Sequence, residues 1–241
     1  MASFYDTTIG QQIEFQRVLA SAGFTDVDIA RIIKEPSLAS AMYAAIQPTV
    51  TAVQTSWYVA PERQLERARQ LWPNAVLPEP PEGFTPRTKS EVLLLHVPDT
   101  FDNLWNLVNA PEGYTKYRWE SVKADKRNLR LAPNKVEFTR PVWLAFDPEH
   151  GKGERPDSFW GQADCAASEV FSALIQFPEW SLAWFAGSSA PNLSGYQLKY
   201  DGNWADVPCL YRWDDDRQLK LIDRWADDRD GRWSSPSVRE C

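Results

Sequence analysis

Twelve tryptophans among 241 residues, four of them directly preceded by arginine (Arg118-Trp119, Arg212-Trp213, Arg224-Trp225 and Arg232-Trp233), constrain this chain more than any other feature. An indole is large, needs a partner for its N–H when buried, and offers a face on which guanidinium groups stack. The carboxy-terminal half must therefore supply many rigid, aromatic-lined niches. At least about two-thirds of the indoles are expected to be core or half-buried, with arginines over their outer faces.

The hydrophobic fraction of 43% and charged fraction of 24% are ordinary for a globular chain, so disorder is not the expectation. The length suffices for one large domain, or for one domain with an appendage. A net charge of −7 excludes attraction of the whole molecule to nucleic acid or anionic membrane, but leaves room for a local basic patch. The start, Met-Ala-Ser-Phe-Tyr-Asp, has neither a basic region nor an apolar one, and no apolar run reaches membrane-spanning length. The expectation is a soluble cytoplasmic protein with no membrane partner. Cys165, Cys209 and Cys241 are too few and too scattered for a disulfide framework or a metal site, which implies reduced thiols.

Apolar groups recur at helical intervals through residues 10–46 and suggest three short helices. The third, Ser37 to Ile46, lacks Arg, Lys, Asn and Gln, so it reads as a packing helix rather than a DNA-recognition helix. A further helix is expected from Glu62 to Leu71. Prolines 73, 78, 80, 81 and 86 then preclude regular structure. The predicted organisation is a helical subdomain at 1–72, a connector at 73–90 and a Trp-rich domain at 91–241.

In that domain Val92 to Val97 reads as a strand covered on both faces. Thr100 caps a helix with Phe101, Leu104, Trp105 and Val108 on one stripe. A second buried strand spans Val142 to Phe146, followed by a charged loop, Asp147 to Asp157. A helix is expected from Ala163 to Phe177, then a strand carrying Trp180, Leu182 and Trp184 on one face. Leu210 to Leu221 reads as a hairpin around aspartates. The predicted class is α+β, with a mixed, mainly antiparallel sheet and at least two flanking helices. Trp225 and Trp233 are expected to dock the carboxy terminus.

Three patterns point toward chemistry. Basic and aromatic side chains interleave between Tyr114 and Arg140. Tyr114, Lys116, Tyr117, Arg118, Trp119, Lys126, Arg127 and Arg130 are candidate ligand-binding residues there, suited to a single-stranded nucleic acid because cations meet phosphates and rings stack on bases. The same pattern also describes a twisted sheet with cation–π pairs. Asp147, Glu149 and His150 gather two carboxylates and one of two histidines after a buried strand, the residue types of a metal-assisted hydrolase, although the spacing matches no ligand motif. Exposed indoles flanked by Asp and Asn, as in Asp201-Gly-Asn203-Trp204-Ala-Asp206, suit stacking on sugar rings or clamping of a peptide. Cys165 near a helix start is a weaker nucleophile candidate, with Asp164 beside it opposing a lowered pKa. No motif calls for a cofactor.

The stretches Glu112-Gly-Tyr-Thr-Lys-Tyr-Arg-Trp119, Asn128-Leu-Arg-Leu-Ala-Pro133, Pro191-Asn-Leu-Ser-Gly195 and Arg232-Trp-Ser-Ser-Pro-Ser-Val-Arg-Glu-Cys241 resemble segments of an uncharacterised group of proteins from uncultivated, small-genome bacteria. The resemblance covers residues 60 to 241 and implies a bacterial cytoplasmic protein. It implies no activity, cofactor or catalytic residue. The function expected from the residues is a non-enzymatic binding protein, with a protein or single-stranded nucleic acid partner, that uses an aromatic and arginine surface. The competing expectation is the hydrolase.

Overall fold

The computed structural model describes residues 57–122, 127–184 and 188–241. Packing divides the chain into units 1–49 and 50–241, and the described residues all belong to the second. The helices expected between residues 10 and 46 lie outside the described residues. Helix α1 (Pro61–Leu71) starts on proline, whose missing N–H is harmless in the first turn. Residues 73–90 follow as irregular chain, as their prolines dictate.

The architecture is α+β. Strands β1 (Val92–His96), β4 (Val142–Asp147) and β10 (Ser237–Glu240) form an antiparallel sheet in the order β1-β4-β10. A second sheet has the order β2-β8-β7-β6-β3, from β2 (Thr115–Arg118), β3 (Leu129–Leu131), β6 (Tyr196–Tyr200), β7 (Asn203–Trp213) and β8 (Gln218–Trp225). Only its β2–β8 pairing is parallel. Short β5 (Ala190–Pro191) pairs in parallel with β9 (Trp233–Ser234). The sheets are therefore mixed and mainly antiparallel.

Every residue of β1 is buried, as its unbroken apolar run requires. Leu93 and Leu95 pack with Leu65 and Ala68 of α1, while Val92 and Leu94 face the main core. Gln64 covers the free edge of β1: its Nε2 donates to the Leu93 carbonyl at 2.9 Å, and its Oε1 accepts from the Leu95 N–H at 2.8 Å. Thr100 caps α2 (Phe101–Leu107) as the sequence predicts, accepting from the Asn103 N–H at 3.2 Å. Phe101, Leu104, Trp105 and Val108 are all buried.

Helix α3 (Glu169–Gln176) is buried at all eight residues, and one core continues from it to both larger sheets. It is shorter than the expected Ala163–Phe177 because the chain before it bonds elsewhere. The Ala166 N–H donates to Pro236 and the Ala166 carbonyl accepts from Gly195, at 2.7 and 2.8 Å.

The expected strand after Pro178 is a helical turn, α4 (Trp180–Ala183). A strand would bury 180, 182 and 184 together; instead Trp180 and Trp184, four apart, are buried and Leu182 is exposed. The terminus also departs from expectation. Trp233 docks, stacking on Tyr211 at 5.7 Å with the Arg224 guanidinium 4.7 Å from its ring, whereas Trp225 is 65% exposed. In β8 the register puts Arg224 and Trp225 on opposite faces, so one cannot follow the other inward. Of the twelve indoles, nine are buried or half-buried, and Trp119, Trp213 and Trp225 are exposed. Among the described residues no helix is long and apolar enough to cross a membrane.

Candidate ligand-binding cleft

Most cations of the 114–140 segment are engaged within the protein. Lys116 donates to the Trp105 and Asn106 carbonyls, both at 2.8 Å, which places positive charge at the carboxy end of α2. Arg118 reaches Asp102 at 2.5 Å and lies over Phe101. Arg130 donates to Gln197 at 2.8 Å and stacks 4.0 Å from the Trp204 ring centre. The Tyr114 hydroxyl donates to Asp214 at 2.7 Å. Arg127 is exposed and also has an interaction within the chain, while Lys126 lies outside the described residues. Lys135, in the same stretch, is buried against Glu169 at 2.7 Å. Strand alternation explains the division in β2: Lys116 and Arg118 turn toward α2, leaving Tyr117 exposed on the other face, with Trp119 exposed beyond the strand.

Asp147, Glu149 and His150 are close in sequence but serve different neighbours. Asp147 is buried and accepts from Thr88 at 2.9 Å and Ser90 at 2.6 Å. Glu149 accepts from the Ser188 hydroxyl and from the Ser189 N–H and hydroxyl, at 2.6, 2.7 and 2.9 Å. The His150 ring meets Phe159 edge-on at 5.2 Å. These contacts tie the loop to the rest of the fold. Among the described residues no group of three or more His, Cys, Asp or Glu side chains is placed to hold a metal ion. Burial pushes the Cys165 thiol up to about 11, away from the thiolate that nucleophilic attack needs.

The third sequence pattern leads to a concave site. Asp201 and Gly202, with φ of 46° and 87°, turn β6 into β7 by the tight hairpin that Asp-Gly favours. The register then shifts, Lys199 facing Trp204 but Leu198 facing Asp206, so Ala205 is an extra residue in β7. Such a bulge re-aims the side chains beside it. Asp206 stands opposite Trp225 of β8. A 3₁₀ turn at Pro156–Phe159 is held against the end of β8 by the Asp157 N–H, which donates to the Ala226 carbonyl at 3.0 Å. Between these elements opens a cleft of about 570 Å³, whose walls include Trp160, Tyr200, Trp204, Asp206 and Trp225.

Two groups in this cleft lack partners among the described residues. Asp206 is 3% exposed, yet its carboxylate receives no hydrogen bond or ion pair among the described residues. Burial, reinforced by Asp223 and Asp227, pushes it up to about 6. The Trp160 indole N–H is also buried without an acceptor. An orphaned buried donor is rare in folded proteins, and here the Trp160 N–H lines one cleft with the Asp206 carboxylate and an exposed indole. The local charge is negative: Arg155 is paired with Asp157, whereas Asp201, Asp206, Asp223 and Asp227 have no ion-pair partner among the described residues.

The Asp201–Asp206 segment is visible in the sequence as aspartates around an indole. Trp160, Tyr200, Trp225 and Asp227 are brought to it by strand pairing and by the 155–160 turn, which no local pattern signals. Compared with protein-family models, with curated proteins and with solved structures, the chain gives no match.

Proposed function

We propose that this chain is a non-enzymatic binding protein of the bacterial cytoplasm whose ligand seats in the cleft between Trp160, Asp206 and Trp225. The observation that carries the reading is the buried, unpartnered Asp206 carboxylate in the same concavity as an exposed indole and an orphaned indole N–H. A ligand with its own hydrogen-bond donors and acceptors would satisfy both groups, and its apolar body would cover Trp225. The test is acrylamide quenching of tryptophan fluorescence with oligosaccharides, basic peptides and amines, comparing wild type with Trp225→Phe. Protection of wild type by one ligand class, reduced in the variant, is the expected result. Unchanged quenching with every class would end the reading.

The exposed rings of Tyr117, Trp119 and Trp213 favour a second reading. Lys220 lies 5.9 Å from the Tyr117 ring centre and 4.5 Å from that of Trp213, so this face combines aromatics with a cation. It is the remaining place for a single-stranded nucleic acid on the 114–140 side. Salt-sensitive oligonucleotide binding that is lost in Trp119→Ala supports it; binding unaffected by that substitution removes it.

A further inference from the structure

We infer that the cleft selects an organic cation, an alkylammonium or guanidinium group, with its charge on Asp206 and its apolar body against Trp225. The inference rests on the cleft being the ligand site. Three observations favour a cation over a neutral saccharide. First, the Asp206 residue is 3% exposed and its carboxylate accepts nothing from the described residues, so a ligand that brings a charged donor meets an acceptor without a competing partner among them. Second, the charged groups around it are unbalanced. Among the described residues, Asp223 and Asp227 from the end of β8 and Asp201 from the β6–β7 turn have no ion pair, and the cation in the wall, Arg155, is held by Asp157 and also sits in the field of Asp227. Like-charge crowding of this kind is relieved by a cation and not by a neutral sugar. Third, an indole face attracts cations through its quadrupole, and Trp225 is the most exposed of the exposed indoles at 65%. The neighbouring Trp204 already carries the Arg130 guanidinium 4.0 Å from its ring centre, the same contact made within the chain.

A cation held by Asp206 favours the ionised carboxylate, so below about pH 6 binding releases a proton, and it strengthens as pH rises through about 6. A free polyamine and a basic peptide both carry the required group, and the experiment separates them.

The probes are spermidine, a tri-arginine peptide and neutral cellotriose, titrated by calorimetry at fixed ionic strength into wild type, Asp206→Asn and Trp225→Ala. The expected result is binding of at least one cationic probe, weakened at least about tenfold by Asp206→Asn and also weakened by Trp225→Ala. Affinity should be higher at pH 7 than at pH 5, and cellotriose should not compete. Spermidine alone binding assigns a free amine; the peptide alone assigns a side chain presented by a partner. Cellotriose binding without the cations would overturn the ligand class and leave the cleft as a binding site. Cation binding unchanged in Asp206→Asn would also overturn it, and silence from all three probes would overturn it with the proposed function. Trp225→Ala changes an exposed residue, so it tests the cleft independently of the charge removed in Asp206→Asn.

Discussion

An ionised carboxylate on a residue only 3% exposed, with no donor among the described residues, works against the fold that contains it. Asp206 ordinarily titrates near 3.8 and does so near 6 in the folded chain. Below 3.8 it is neutral in both states; between 3.8 and about 6 only the unfolded chain ionises freely, so its contribution to stability is lost as pH rises through that window. Asp206→Asn should therefore be more stable than wild type at pH 7 by roughly 1 kcal/mol, with the difference shrinking at pH 4. Urea unfolding at the two pH values measures this, and a less stable variant at pH 7 would contradict it. His96 acts in the opposite sense. Burial lowers it from 6.5 to about 4, with its Nδ1 2.8 Å from the Ser172 hydroxyl. The unfolded chain gains this proton before the folded one, so stability falls as pH drops from 6.5 toward 4, by up to about 3 kcal/mol. In His96→Gln that part of the acid sensitivity should disappear, whatever the variant's stability at pH 7.

At the scale of elements, α3 depends on a charge pair inside the core. Lys135 and Glu169 have side chains 1% and 0% exposed and meet at 2.7 Å, and Glu169 also accepts from the Ala167 N–H at 2.6 Å. Glu169→Gln leaves a buried ammonium without its counter-charge and should cost about 3–5 kcal/mol, whereas Lys135→Met with Glu169→Leu should recover most of that loss. Equal loss in the single and double variants would show that the pair does not act as a unit. Sequence pattern alone is informative where a local rule governs: the apolar run at 92–97, the Thr100 cap, the hairpin closing near Asp214–Arg217 and the broken chain at 73–90. It misleads where tertiary bonds intervene. Residues 163–168 have helical composition but bond to Pro236 and Gly195, and Trp180 to Trp184 alternates like a strand but packs as a helical turn. Lys116, Arg118 and Arg130 have the composition of a nucleic-acid surface, yet their partners lie on α2, β6 and β7, which sequence spacing does not reveal.

Residues 237–240 complete the sheet built on β4. Strand β10 pairs with β4, Arg239 binds Glu91 at 3.0 Å, and the Val238 N–H donates to Asp164 at 2.7 Å. Deleting residues 237–241 strips these bonds and opens the edge of the central strand, so the shortened chain should lose its cooperative thermal transition or aggregate. Melting indistinguishable from wild type would refute that role. The same long-range closure sets the cleft, because the end of β8, the β6–β7 turn and the 155–160 turn meet only in the complete fold. The central claim is that this meeting point is a ligand site, and the most direct measurement is an amide and indole ¹H–¹⁵N spectrum titrated with spermidine. Indole signals would be assigned by Trp→Phe variants. The same titration is repeated with the tri-arginine peptide and with cellotriose. The account predicts that with at least one of the three Trp160 and Trp225 shift together and saturate while buried Trp180 and Trp184 stay fixed; movement confined to Trp119 and Trp213, or no movement with any of the three, would contradict it.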